Sequence, residues 1–270
     1  MIFFPNAKIN IGLNIISRNQ DGYHNIESCF CPIDYHDIIE IKNSKTFFFQ
    51  TSGIKIPGNK KDNIILKLLK EINYRFNGLE ILLHKNIPIG SGLGGGSSNG
   101  AFFLLTLNKL MNLKMNKNKL YKIANHLGSD CPFFLKNKIS YVTGRGNVLK
   151  DIKIDLKNKK IIVIVPNIHI STKIAFDNIE IEKPKYSLLE VLNNEPIGKW
   201  RNYIFNDFEN YVFKKFKKIK KIKENLYKNG ALFSSLTGTG SAVYGIFEKD
   251  KFINKNLFTN NLIIETRALQ

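Results

Sequence analysis

Apolar and polar residues alternate without a break along the segment "AKINIGLNIISR" (7–18). Ala7, Ile9, Ile11, Leu13 and Ile15 fall on one side and Lys8, Asn10, Gly12 and Asn14 on the other. A period of two predicts a strand with one buried and one polar face. Further strands are predicted around "DIIEIKN" (37–43), "KTFFFQ" (45–50), "GLEILLHKNI" (78–87), "ISYVTG" (139–144) and "KIIVIVP" (160–166). Helical spacing predicts helices over 62–76, opened by Asp62, from about Ser97 to Met111, and over 116–128, closed by Gly128. A long helix is predicted over 206–230, with Phe208, Val212, Phe216, Ile219 and Leu226 on one face and Asn229-Gly230 at its end. "ALFSSLTGTGSAVYGIF" (231–247) opens a final sheet region. Strands and helices mix without strict alternation and no internal repeat occurs, which predicts an α+β protein. The charged, weakly patterned stretch "DIKIDLKNKK" (151–160) marks a boundary, giving domains 1–155 and 156–270.

The chain has 270 residues, 43% of them apolar, enough to fill a real core. The longest aliphatic run, Ile161 to Val165, is strand-sized, so no membrane partner is expected. "MIFFPNAKIN" lacks the ordered regions of a secretion signal. Three cysteines, an odd number with Cys29 and Cys31 too close to bridge, fit a reduced, cytoplasmic protein. A net charge of +19 raises the possibility of nucleic-acid binding. The lysines are spread along the whole chain, however, as in a global compositional bias, and the run in 206–230 reads as a solvated helix face. No nucleic-acid partner is expected. An anionic small substrate would still be steered by such a field.

The chemistry concentrates in "PIGSGLGGGSS" (88–98), wedged between a predicted strand and a strongly apolar predicted helix. Glycines let main-chain N–H groups approach a ligand, and a helix start adds unpaired N–H groups and partial positive charge. The combination predicts a phosphate site made of Pro88, Ile89, Gly90, Ser91, Gly92, Leu93, Gly94, Gly95, Gly96, Ser97 and Ser98. No G-x-x-x-x-G-K-[ST] occurs. Gly90, Gly92 and Gly95 satisfy G-x-G-x-x-G, but no acid follows before Asp130, which disfavours a dinucleotide fold.

This loop resembles the phosphate-loop signature of the galactokinase, homoserine kinase, mevalonate kinase and phosphomevalonate kinase (GHMP) superfamily. The segments "AKINIGLNIISRNQDGYHNIES", "LGSDCPFFLKNKISYVTGRGNVL" and "SLTGTGSAVYGIF" agree in order and spacing. The doubled serine, "AKIN", "DGYH" and "GSDCPFF" narrow the resemblance to the branch that phosphorylates a cytidine diphosphate-linked methylerythritol. The resemblance implies a ribosomal-protein S5-like N-terminal half and a ferredoxin-like C-terminal half, with ATP and substrate in a cleft between them. It implies an ATP- and Mg²⁺-dependent alcohol kinase, monomeric or weakly dimeric, with no fixed protein metal site and Mg²⁺ near Ser97 or Ser98. Another GHMP kinase, such as homoserine kinase, and a basic RNA-binding protein are the competing readings.

Asp130 is the only carboxylate between the loop and Asp151. On the residues alone it reads as a turn cap; the resemblance makes it the proton acceptor. Lys8 reads as an exposed lysine; the resemblance sets it beside Asp130. By the same carry-over, Tyr23 and Phe176 stack on the cytosine, His24 bonds its edge, Asn10 and Thr172 lie near the substrate, and Asn63 and Lys85 near the adenosine. Thr237, Gly238, Thr239 and Gly240 form a second bare turn directed at the phosphates and acceptor. Asn25 and Asn147 stand where acids are usual, and Gly100 replaces a more usual alanine, which weakens the helix start by roughly 0.5–1 kcal/mol. Cys29, Cys31 and Cys131 lack zinc-site spacing and read as buried thiols.

Overall fold

A computed structural model of the chain describes residues 1–72 and 78–269. The chain runs through strands β1 (Ile2–Phe3), β2 (Asn6–Arg18), β3 (His24–His36), β4 (Ile38–Asn43) and β5 (Phe48–Gly53), then helix α1 (Ile64–Ile72) and strand β6 (Leu79–Lys85). Three helices follow, α2 (Gly95–Leu110), α3 (Lys117–Leu127) and α4 (Cys131–Lys136), then the hairpin β7 (Ser140–Thr143) and β8 (Val148–Asp151). The remainder is β9 (Lys159–Pro166), helices α5 (Thr172–Asp177), α6 (Leu188–Asn194), α7 (Phe208–Lys215) and α8 (Lys217–Lys228), and strands β10 (Phe233–Leu236), β11 (Val243–Glu248) and β12 (Asn261–Thr266). Contacts cluster into two compact units, each drawn from separated stretches of chain. One takes 1–7, 35–89 and 94–137; the other takes 8–34, 90–93 and 138–270.

The first unit holds a four-stranded sheet ordered β1-β4-β6-β5, antiparallel except for the β5–β6 pair. Its core includes Ile39, Ile41, Ile81 and Leu83 from alternate strand positions, with Ile65, Leu68, Phe103, Leu104 and Leu107 from the helices. Gly100 has a packing role: a Cβ there would lie 2.9 Å from Cδ1 of Ile64. The missing methyl brings α1 close to α2, which offsets the loss in helix propensity. The start of α1 is set by Asn63, whose Oδ1 accepts the Ile65 N–H, and not by Asp62. Residues 73–76 of the predicted helix lie outside the described residues.

The second unit holds two four-stranded sheets, β2-β3-β7-β8 and β10-β11-β9-β12. Numbering the latter four strands by sequence, the order across the sheet is 4-1-3-2, the ferredoxin-like arrangement expected of the C-terminal half. Its second crossover helix is reduced to one 3-10 turn, Lys255–Phe258. Ile162, Ile164, Val243 and Phe247 pack with Phe208, Val212, Ile219 and Leu226 in one core. The predicted 206–230 helix is two helices, α7 and α8, broken at Phe216, whose φ of −122° and ψ of 80° are not helical. Its end is as predicted: Gly230 is left-handed and the Ala231 N–H reaches back to the Leu226 carbonyl.

Strand β2 departs from expectation in one respect. Its apolar side is buried, but so are Lys8 and Asn10 on the polar side, 3% and 1% exposed. β3 carries no clear strand pattern in the sequence, and Pro32 within it is the sort of residue that argues against one.

Truncating Ile164 to alanine, at a fully buried position in the centre of the second unit's sheet, is expected to lower unfolding stability by about 2–5 kcal/mol. Phe252→Ala, at an 82% exposed position, is expected to change it by less than about 0.5 kcal/mol. Denaturant midpoints of the two variants check both values.

Candidate active site

The glycine stretch forms a turn whose chain direction requires glycine. Gly90, Gly92 and Gly94 have φ of 65°, 83° and 74°. A Cβ at Gly92 would fall 1.9 Å from the Thr237 carbonyl oxygen, so the backbone of the Thr-Gly turn rests directly against this residue. Gly96 is exposed, and a Cβ added there would meet nothing within 4 Å. The glycines thus divide into one that permits close chain packing and one that leaves room above the helix start.

In the first unit, α2 begins at Gly95 with left-handed Gly94 as its cap, two residues before the predicted start. No side chain caps it, so its first N–H groups carry the partial positive charge of an anion site. Ser98, in the first turn, is fully buried and its hydroxyl has no hydrogen-bond partner among the described residues. Ser97 hydrogen-bonds the buried Cys131 thiol. Burial pushes that thiol up to about 12, opposed by the Ser97 bond and reinforced by the charge of Asp130. Asp130 occupies the N-cap position of α4, is partly buried, and makes no side-chain cap bond, which sets aside the capping role.

Lys85 is 3% exposed. Its ammonium lies 2.6 Å from Oδ2 of Asp37 and 2.7 Å from the Ile87 carbonyl oxygen. Burial lowers its pKa, and Asp37 opposes the shift. Asn63 has its side chain engaged in starting α1.

In the second unit, Asn10 is a hub. Its Oδ1 accepts from Nζ of Lys8 at 2.5 Å, the Gly238 N–H at 2.9 Å and the Thr237 hydroxyl at 3.2 Å. Its own N–H donates to the Thr237 hydroxyl, and its Nδ2 to Oγ of Ser28. The Tyr244 hydroxyl donates to its carbonyl at 2.8 Å. The Lys8 ammonium sits 4.8 Å from the centre of the Phe30 ring, and the Lys8 N–H donates to the Leu93 carbonyl. Thr237 also lies 3.1 Å from the Gly92 carbonyl, and the Ala242 N–H donates to that of Ser91. Lys8, Asn10, Thr237, Gly238 and the Gly90–Leu93 segment are therefore assembled together. Thr172 and Thr239 face each other at 3.4 Å between hydroxyl oxygens.

The three aromatic candidates are arranged differently from a simple open slot. Phe176 stacks on His24, centroids 4.8 Å apart and planes at 28°, and meets Phe208 edge-on. Tyr23 is 56% exposed, with the Arg145 guanidinium 4.7 Å from its ring centre. Arg145 in turn pairs with Asp21. Asn25 bonds Ser17 and Asn19, and Oδ1 of Asn147 accepts the Arg145 N–H. Asn147 thus acts as a turn residue, while Asn25, at the start of β3, ties that strand to Ser17 and Asn19. Burial, and after it the nearby Arg18, lowers the His24 pKa against a smaller opposing effect of Asp177.

Sequence reasoning missed Asp37, Ser28, Asn206 and Tyr244. Asn206 donates to the carbonyls of Leu236 and Gly238 and so holds the second bare turn from behind. Tyr244 and Ser28 fall inside the quoted family-like segments, but no local spacing marks any of the four; pairing across the fold reveals them.

These features, a glycine turn feeding a helix start and a second glycine turn against it, are those of small-molecule kinases of the GHMP type. Residues 61–138 match the family described as GHMP kinases N terminal domain, and 188–255 the family GHMP kinases C terminal. A curated relative from Azobacteroides pseudotrichonymphae, named 4-diphosphocytidyl-2-C-methyl-D-erythritol kinase, is 45% identical over 92% of this chain and 94% of its own. A crystal structure of 4-(cytidine 5'-diphospho)-2C-methyl-D-erythritol kinase superposes with a TM-score of 0.81 at 26% identity, covering 99% of both chains. Homoserine kinase from Cytophaga hutchinsonii shares the fold alone, with a TM-score of 0.64 at 16% identity over 98% of this chain and 94% of that one. The chain belongs to the 4-diphosphocytidyl-2-C-methyl-D-erythritol kinase family of GHMP kinases.

Gly92→Ala is expected to destabilise the protein by more than about 1 kcal/mol, through both its positive φ and the Thr237 carbonyl, while Gly96→Ala should leave stability within about 0.5 kcal/mol of the parent. Thermal melts distinguish them. The His24 imidazole is expected to titrate below its ordinary value near 6.5. Between those two pH values the unfolded chain binds more protons than the folded one, so His24 costs stability as the pH falls through that window. An NMR titration of its ring protons reads the midpoint.

Proposed function

We propose that this chain transfers the γ-phosphoryl group of ATP to the tertiary 2-hydroxyl of 4-diphosphocytidyl-2-C-methyl-D-erythritol, a step of non-mevalonate isoprenoid precursor synthesis. The observation that carries this reading is the uncapped, glycine-lined start of α2 with the unpartnered Ser98 hydroxyl in its first turn. Membership of the family, nearly end to end, supports the choice of acceptor.

Phosphoryl transfer needs in-line positioning, stabilisation of charge on the transferring group, and a proton acceptor. Main-chain N–H groups from Gly90 to Ser97 bind the phosphates and orient the γ-phosphoryl; that of Ser98 is held by the Gly94 carbonyl. Asp130 takes the proton from the acceptor hydroxyl. Lys8 supplies the cation that favours a developing alkoxide, and its head is held by Asn10. Mg²⁺ arriving with ATP would neutralise phosphate charge. The hydroxyls of Ser97 and Ser98 fit that task, and no cluster of three or more His, Cys, Asp or Glu able to hold a metal occurs among the described residues. Asn63 and Lys85 form the adenosine side, Lys85 as part of the wall, since its ammonium is engaged by Asp37 and Ile87.

Tyr23 and Phe176 grip the cytosine, His24 meets its edge, and Thr172, Thr239 and Gly240 border the acceptor. Phe176 already receives one planar ring, the His24 imidazole, face to face, which supports reading it as a stacking surface for a base. The two family matches fall on either side of 155/156, while the compact units interleave across it, 8–34 and 138–155 grouping with the C-terminal residues. Three buried cysteines support a reducing, cytoplasmic setting.

A coupled assay of ADP release tests the reading: turnover should require the cytidine substrate, and turnover with homoserine in its place would overturn it. Asp130→Ala and Lys8→Ala are each expected to lower kcat by roughly 10²–10⁴-fold. Tyr23→Ala is expected to raise KM for the cytidine substrate by about 5–150-fold, equivalent to about 1–3 kcal/mol of stacking, with KM for ATP unchanged.

A further inference from the structure

A single carboxylate lies behind the phosphate loop. Asp37 is fully buried at the junction of β3 and β4. Its Oδ1 accepts the N–H groups of Asn86 at 2.7 Å and Ile87 at 2.8 Å. Its Oδ2 accepts from Nζ of Lys85 at 2.6 Å and Nδ2 of Asn99 at 2.9 Å. Asn86 and Ile87 are the last residues before the loop; Asn99 lies in the second turn of the helix after it. Lys85 reaches the same place from the other direction, since a Cβ on Gly95 would fall 2.8 Å from its Nζ.

The loop from Pro88 to Gly94 therefore leaves and re-enters a knot with Asp37 at its centre. Both oxygens are filled by donors, two from the chain entering the loop, one from the helix leaving it, and one from a cation that balances the charge. An anion site built of main-chain N–H groups depends on their common direction, and that direction depends on how the two ends of the loop are fixed.

We propose that Asp37 is a positioning residue for nucleotide binding, a clamp that fixes the spacing of the two ends of the phosphate loop. The inference rests on reading Gly90–Ser98 as the ATP loop. It assigns the Lys85 ammonium to the clamp and makes Asn99 the clamp's second end. Geometry and charge predict opposite signs for removal of the Asp37 charge. Asp37→Asn leaves a buried ammonium near a phosphate site, which by charge alone would tighten nucleotide binding. As a clamp it should weaken it, because an amide has one acceptor oxygen where the carboxylate serves two pairs of donors, so one pair faces an NH2 in either orientation.

The test is ADP affinity by titration calorimetry, with KM for ATP and for the cytidine substrate in the coupled assay. Asp37→Asn is expected to raise the Kd for ADP and the KM for ATP about tenfold or more, with KM for the cytidine substrate within about twofold. Asn99→Ala should shift in the same direction by a smaller factor. The exchanged pair, Asp37→Asn with Asn99→Asp, returns an acceptor to the knot and should recover most of the loss. A folded Asp37→Asn protein with unchanged or tighter ADP binding overturns the proposal, as does an equal rise in both KM values. If Asp37→Asn does not fold, Asn99→Ala decides, and unchanged ADP affinity in that variant overturns the clamp. A parent protein that binds no ADP overturns the loop reading itself and the clamp with it.

Discussion

The carboxamide oxygen of Asn10 receives an ammonium, a main-chain N–H and a hydroxyl, with almost no access to water. Each of those donors would be costly to bury alone. The single carboxamide oxygen satisfies all three, and so fixes where Lys8 points and how the turn after β10 lies. That turn also sets the course of the Gly90–Leu93 segment, because the Thr237 carbonyl leaves no room for a side chain at Gly92. One neutral side chain thus places both the cation and the bare loop.

Much of this is legible in the linear chain. The alternation from Ala7 to Ile15 identifies the buried side of β2, and the glycine spacing identifies the loop, because both signals are local and have a single physical cause. The burial of Lys8 and Asn10 is not legible, since their partner Thr237 lies 227 residues beyond Asn10. A polar strand face looks the same whether water or another turn covers it. The break at Phe216 is hidden for a related reason: no Gly or Pro marks it, and Phe208, Val212, Ile219 and Leu226 all enter the same core on both sides of it. β3 is masked by Pro32 and by side chains of mixed character.

The aromatic candidates come from the resemblance, not from any local pattern of residues. The sequence groups Tyr23, His24 and Phe176, whereas the structure gathers His24 and Phe176 but gives Tyr23 to Arg145. Arg145 has Asp21 as its ion-pair partner, and its planar head lies over the tyrosine ring.

The reliance of Gly92 on Thr237 has a bearing on biosynthesis. The two are separated by 145 residues, so on the ribosome the glycine turn emerges long before the segment that packs against it. Until that segment is made, the turn is a stretch of very flexible chain with most of its main-chain hydrogen-bonding groups in water. The course of the glycine turn is therefore a property of the finished polypeptide, and a nascent chain that carries the whole glycine motif still lacks the wall that shapes it.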